Sequence, residues 1–119
     1  MRKEDSIVYQ KSFDFSVRII KLHKYLCKEK KEYVLAKQLL RSGTSIGANI
    51  SEGLAGQSDR DFIAKFSISL KEAMETEYWI DLLVAADILN RNMVKTLLCE
   101  LKEIIKILTK AIKTTKSRG

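Results

Sequence analysis

The chain has 119 residues, 22 basic and 15 acidic, with a formal charge of +7, a length that suits a single domain spanning residues 1–119 with a buried core. Proline is absent and glycine occurs only five times, which argues against a turn-rich β sandwich and suits long helices. No apolar run reaches the roughly 18 residues of a membrane span, and the charged start MRKEDSIVYQ lacks the apolar segment of a secretory signal, so a cytoplasmic protein with no membrane partner is expected.

Four segments carry apolar or small residues at alternating spacings of four and three, the seam of a helical bundle. The first predicted helix covers roughly residues 6–29, with Val8, Ser12, Phe15, Ile19, Leu22 and Leu26 on its seam. The break that follows, CKEKKEY, has neither glycine nor proline. A turn is placed there because the seam lapses between Cys27 and Tyr33 under a run of charges. The second helix, roughly 32–53, carries Leu39, Gly43, Ile46 and Ile50 and is expected to stop at Gly53. Ser58 and Asp61 resemble a capping box at the start of the third, roughly 58–88, whose seam is Phe62, Phe66, Ser69, Ala73, Thr76, Ile80 and Leu83. Asn90 and Asn92 are placed to turn the chain and cap the fourth, roughly 91–115, with Val94, Leu97, Leu101, Ile104, Leu108 and Ala111. Long helices with short connections predict an all-α, antiparallel up-down-up-down four-helix bundle.

Two helices carry apolar residues beside the seam: Leu98, Ile105 and Ile112 on the fourth, and Ile63, Leu70, Met74 and Trp79 on the third. A second stripe on a bundle helix is expected to meet another subunit, so a homo-oligomer is predicted.

The stretch RSGTSIGANISEG, Arg41 to Gly53, is dense in small residues. Gly43, Gly47 and Ser51 recur every fourth position and form one ridge of the second helix. Glycine inside a helix costs roughly 1 kcal/mol against alanine, and close approach of a neighbouring helix is the ordinary compensation. A Walker loop would need a strand before it and a lysine after it. A serine nucleophile would need a base, and the only histidine, His23, falls beside the first seam on the flank or surface. Di-iron chemistry would need more than one histidine. Cys27 and Cys99 form neither a C-x-x-C pair nor a ligand cluster and are expected to be reduced thiols. No catalytic, cofactor or metal site is therefore predicted, and the stretch is expected to be a packing surface.

QLLRSGTSIGANISEG followed by SDRDFIAKFSISLKEAMETEYWIDLL resembles the four-helix-bundle proteins of the 23S rRNA intervening-sequence family. IVYQKSFDFSVRIIKL and the fourth helix share the likeness more weakly. The resemblance implies up-down bundles that assemble as ring-shaped homopentamers, with no enzymatic activity. It also implies kinship with the accessory proteins of diversity-generating retroelements, which are basic and engage nucleic acid and a reverse transcriptase. In the family motif Asn49 and Glu52 match the polar pair before the glycine, and Glu75 and Glu77 match acids of the third helix. Asn49 and Glu52 are expected to bond across helices or to cap the turn at Gly53. Glu75 and Glu77 are expected on a solvated or ion-paired face.

Basic residues gather in two places. Arg18, Lys21, Lys24, Lys28, Lys30, Lys31, Lys37 and Arg41 face only Glu29 and Glu32 in the same stretch, while Glu72 to Asp87 holds acids and no base. In a bundle that acidic half lies toward the first turn, where local pairing is expected. Lys102, Lys106, Lys110, Lys113 and Lys116 step along one face of the fourth helix. Such lines suit phosphate backbones, and with no stacking motif or zinc knuckle the expected partner is RNA or DNA bound with little sequence selectivity. The competing expectation is a protein-interaction scaffold that uses its positive charge on an acidic partner.

Overall fold

Ser6 has extended backbone (φ −82, ψ 126), and its Oγ accepts from the Tyr9 amide at 3.2 Å, starting α1 (Ile7–Glu29). The computed structural model describes residues 6–118, so the charged Met1 to Asp5 of the predicted start, and Gly119, lie outside the described residues. The first turn needs no glycine, because Lys31 takes a left-handed conformation (φ 55) and the Glu32 amide donates back to the Leu26 carbonyl at 3.0 Å. Glu32 Oε2 then accepts from the Leu35 amide at 3.1 Å, so this residue lies before the N-cap, Tyr33, and satisfies an amide in the first turn of α2 (Val34–Leu54), which begins later than residue 32.

Gly53 is not the stop that the sequence suggests. The helix passes through it to Leu54 and closes when the Ala55 amide donates to the Ser51 carbonyl at 3.2 Å. No described glycine has positive φ. Gly53 is buried, and a Cβ there would lie 2.7 Å from Cδ1 of Phe66, so its smallness serves packing on the next helix.

Ser58 Oγ accepts from the Asp61 amide at 3.1 Å and starts α3 (Asp59–Ala85). That helix ends short of residue 88. Asp87 adopts φ 61, and the Ile88 and Leu89 amides converge on the Leu83 carbonyl at 3.0 and 3.1 Å. Asn90 Oδ1 accepts from the Met93 amide at 3.0 Å and caps α4 (Arg91–Arg118), which runs past residue 115. Asn92 lies exposed within α4 and does not cap it. Lys116 and Arg118 in the last turn match the negative end of the helix dipole.

Cross-helix contacts fix the directions. Ile19 meets Gly43 and Ser12 meets Gly47, so α1 and α2 are antiparallel. Glu52 reaches Lys65, Ser69 Oγ donates to the Ile46 carbonyl at 2.8 Å, and Arg41 reaches Glu72, so α2 and α3 are antiparallel too. Asp59 at the start of α3 meets Arg118 at the end of α4, and Lys11 and Arg18 of α1 pair with Glu103 and Glu100. Every residue of the four seams is buried except Leu22, Phe62 and Ala111, which are half-buried against the core. The polar seam residues are satisfied: the Ser12 hydroxyl donates to the Tyr9 carbonyl at 3.0 Å, and Thr76 Oγ1 lies 2.9 Å from Ser42 Oγ between α2 and α3.

The second stripe of α4 needs no other subunit. Leu98 and Ile112 belong to the core of the single chain, and Ile105 packs against it. The physical reason is that α4 lies between α1 and α3, so both flanks of its seam are covered. On α3, Ile63, Leu70 and Trp79 also pack against the core, and only Met74 of the predicted stripe is exposed. A stripe that the sequence reading passed over stays open on α1, at Phe13, Val17 and Ile20.

The glycine ridge of α2 faces α1, with two different fits. At Gly43 a Cβ would lie 2.8 Å from both Cγ1 and Cγ2 of Ile19, a stiff branched side chain. At Gly47 the nearest atoms, the Ser12 carbonyl oxygen and the Ser12 and Ser16 hydroxyls, stand at 3.4 Å. Gly43→Ala is therefore expected to destabilise by about 1–3 kcal/mol through overpacking. Gly47→Ala is expected to be neutral or stabilising by up to about 1 kcal/mol, and Gly47→Leu to destabilise by about 1–3 kcal/mol. Thermal melts of the three variants check this. Equal melting of Gly43→Ala and Gly47→Ala would show that the ridge does not set the helix spacing.

Candidate nucleic-acid interface

The bundle sorts its basic residues into paired and unpaired sets. Arg18, placed by sequence in the phosphate-binding cluster, is held by Glu100 across the α1–α4 seam. Arg41 is held twice, by Glu72 at 2.8 Å and by Glu75, whose Oε2 also accepts from Trp79 Nε1 at 3.0 Å. This is the local pairing expected of the acidic half of α3, and it stops there: Glu77 and Asp81 have no ion-pair partner among the described residues. Lys11 pairs with Glu103 at 2.8 Å, Lys65 with Glu52 at 3.2 Å, and Arg118 with Asp59 at 3.2 Å. These positive charges are largely neutralised for a partner.

Lys102, Lys106, Lys110, Lys113 and Lys116 are all exposed on α4, and none has an ion-pair partner among the described residues. From Lys102 to Lys113 the line covers about 16 Å at the helical rise of 1.5 Å per residue. Lys21, Lys24 and Lys28 of α1 are likewise exposed and unpaired, so the structure keeps the α4 line whole and removes Arg18 from the other cluster. The one acid inside the α4 line, Glu103, is turned toward α1 by Lys11. That hydrogen bond, with the charge of Lys11 behind it and a smaller contribution from Lys106, lowers the carboxyl below its ordinary 4.5.

The predicted packing residues divide between the two neighbours of α2. Gly43, Gly47 and Ser51 face α1, the last two beside Tyr9, Ser12, Phe13 and Ser16. Glu52 and Gly53 face α3. Asn49 neither bridges helices nor caps the turn; its amide donates to the Ser45 carbonyl at 2.9 Å within α2. His23 Nε2 lies 3.6 Å from Cys27 Sγ one turn along α1, with both residues half-buried, and Cys99 is exposed. Among the described residues no three His, Cys, Asp or Glu side chains gather at a metal-sized site, and no helix is long and apolar enough to cross a membrane.

Because the folded carboxyl of Glu103 is the stronger acid, its contact with Lys11 contributes fully above pH 4.5 and is lost as pH falls through the lowered value. Both groups are open to solvent, so the contribution is small. Glu103→Gln is expected to melt slightly below the parent at pH 7 and together with it at pH 2, as followed by circular dichroism. A gap that persists at pH 2 would assign the loss to packing.

The sequence matches the 23S rRNA-intervening sequence protein family over residues 4–110. Among solved structures, the chain is similar to a protein of unknown function from the S23 ribosomal protein family of Bacteroides thetaiotaomicron. The two are 50% identical with a TM-score of 0.88, over 90% of this chain and 99% of that one. None of the curated proteins matches. The chain belongs to the 23S rRNA-intervening sequence protein family.

Proposed function

We propose that this member of the 23S rRNA-intervening sequence protein family is a non-enzymatic, oligomeric helical bundle of the cytoplasm that binds RNA or DNA with little sequence selectivity. The observation that carries the reading is the row of five exposed, unpaired lysines along α4. Each lysine that meets a phosphate releases a counterion, which makes affinity fall with salt. No aromatic residue interrupts the stretch from Lys102 to Lys116. A stacking platform for unpaired bases is therefore lacking along the line, and the contacts are to the backbone.

Replacing Lys106, Lys110 and Lys113 with Gln tests the reading, because all three are exposed and none belongs to the core. Fluorescence anisotropy with RNA and DNA at two salt concentrations is expected to show weaker binding of the triple variant, with a similar loss across sequences. The slope of log affinity against log salt is expected to become shallower by about 0.7–0.9 per lost contact. An unchanged slope would move the site to Lys21, Lys24 and Lys28. Absence of binding by the parent at low salt would favour a protein-interaction scaffold.

Self-association is supported by the large apolar residues exposed in rows on α1 (Phe13, Val17, Ile20) and on α3 (Met74, Tyr78). Light scattering at micromolar concentration is expected to give an oligomer, and the family resemblance points to five copies. A ring would repeat the lysine line and raise a weak affinity by avidity. A monomer mass would remove the oligomer and the avidity together.

A further inference from the structure

Two apolar stripes remain outside the core of the single chain. On α1, Phe13, Val17 and Ile20 are 56%, 39% and 41% exposed, and the same face continues to the exposed Lys24. On α3, Met74 and Tyr78 are 59% and 58% exposed, with half-buried Leu70 before them and exposed Asp81 after them. The steps are four, three and four on α1, and four, four and three on α3. Both runs therefore cover the same length, about 16 Å at 1.5 Å per residue. Each is apolar along most of its length and ends, toward the helix C-terminus, in one charge. The two charges have opposite sign, and neither has an ion-pair partner among the described residues.

The bundle places these stripes where two copies can use them. α1 and α3 each pack on α2 and α4, so they occupy opposite corners and their outer faces look away from each other. Both are antiparallel to α2 and therefore run in the same direction. A rotation about an axis along the bundle keeps α1 of one copy parallel to α3 of the next. In that orientation the equal runs align end to end.

We infer that the α1 stripe of one copy docks on the α3 stripe of the next, with Phe13, Val17, Ile20 and Lys24 facing Leu70, Met74, Tyr78 and Asp81 in that order. The inference rests on the self-association proposed above and adds which faces meet and in which direction. The contact is heterologous: each copy offers one face of each kind, and repetition of it gives a ring when the rotation closes. An antiparallel docking would set Lys24 beside Leu70 and leave Asp81 without its counter-charge, so the terminal charges select the parallel register.

The test uses two variants of the full chain, each with one face blocked. Val17→Glu with Ile20→Glu blocks the α1 stripe, and Met74→Glu with Tyr78→Glu blocks the α3 stripe. All four positions are exposed, and circular dichroism confirms that each variant keeps its helices. By light scattering each is expected to be monomeric alone. An equimolar mixture is expected to give a dimer and nothing larger, because one partner keeps its α3 face and the other its α1 face. A mixture that stays monomeric would overturn the heterologous contact. Blocked variants that keep the parent's mass would overturn these faces while leaving the oligomer standing, whereas a monomeric parent would overturn both. Lys24→Glu alone and Asp81→Lys alone are each expected to weaken assembly about two- to fivefold, as for an exposed ion pair. Combining them in one chain restores the pair between copies and is expected to restore assembly. Further weakening in the combined variant would overturn the parallel register.

Discussion

Ile19 of α1 occupies the space that a side chain at residue 43 would fill. That single substitution of one helix's side chain for another's absence lets α1 lie closer to α2 than a pair of ordinary apolar faces would allow. Gly53 does the same on the other side of α2, where the ring of Phe66 fills the vacancy. The second helix is thus tightly fitted on two faces, against α1 at its middle and against α3 near its C-terminal end. Glycine inside a helix costs roughly 1 kcal/mol against alanine, and full burial of Ile19 and Phe66 offsets it with about 1.5–3 kcal/mol each. Between α2 and α3 the buried hydroxyls also find partners: Ser69 Oγ donates to the Ile46 carbonyl, and Thr76 Oγ1 lies 2.9 Å from Ser42 Oγ.

Close packing on α2 also determines where charge can stand. Arg41 lies on the flank of α2 next to α3, within reach of Glu72 and Glu75, and becomes part of the inter-helix contact. Arg18 and Lys11 serve the α1–α4 seam in the same way. Among the described residues the lysines of α4 have no such partner, since the acids nearest them in sequence, Glu100 and Glu103, are turned toward α1. Among the described residues three of the five arginines, Arg18, Arg41 and Arg118, are held in ion pairs, whereas the lysine line of α4 stands in solvent. Lysine is the less committed of the two cations, a compact charge on a flexible stem without the planar fork that favours fixed pairing.

The seams were legible in the sequence because burial follows spacing, and a seam residue as unlikely as Ser12 or Thr76 kept its place. The α4 lysine line was legible for the same reason: spacing of three and four puts residues on one face whether that face is wet or dry. What spacing does not carry is the identity of the neighbour. Leu98 and Ile112 read as a surface for another subunit because nothing local tells that α1 and α3 flank α4 on both sides. Gly53 read as a stop because a glycine near a helix end has two uses, and only the position of Phe66 decides between them. The α1 stripe at Phe13, Val17 and Ile20 carries the same kind of spacing on the face opposite the seam, and was passed over because the seam alone accounts for the helix. Arg18 and Glu100 are far apart in the chain, and their pairing is a property of the fold alone.

The α1–α4 seam has a consequence for how the chain reaches this structure. Three of the four helix contacts join neighbours in sequence, and only α1 with α4 must be brought together across the whole chain. Local hairpins close early because they restrict short loops, whereas the first-to-last contact repays its loop entropy only when the rest is in place. At its outer edge that contact is fastened by exposed ion pairs, which act weakly at the distances of a loose intermediate. Its side chains are therefore expected to come together late in folding and to part early in unfolding. Changes along this seam are expected to alter how fast the native bundle opens far more than how fast it forms.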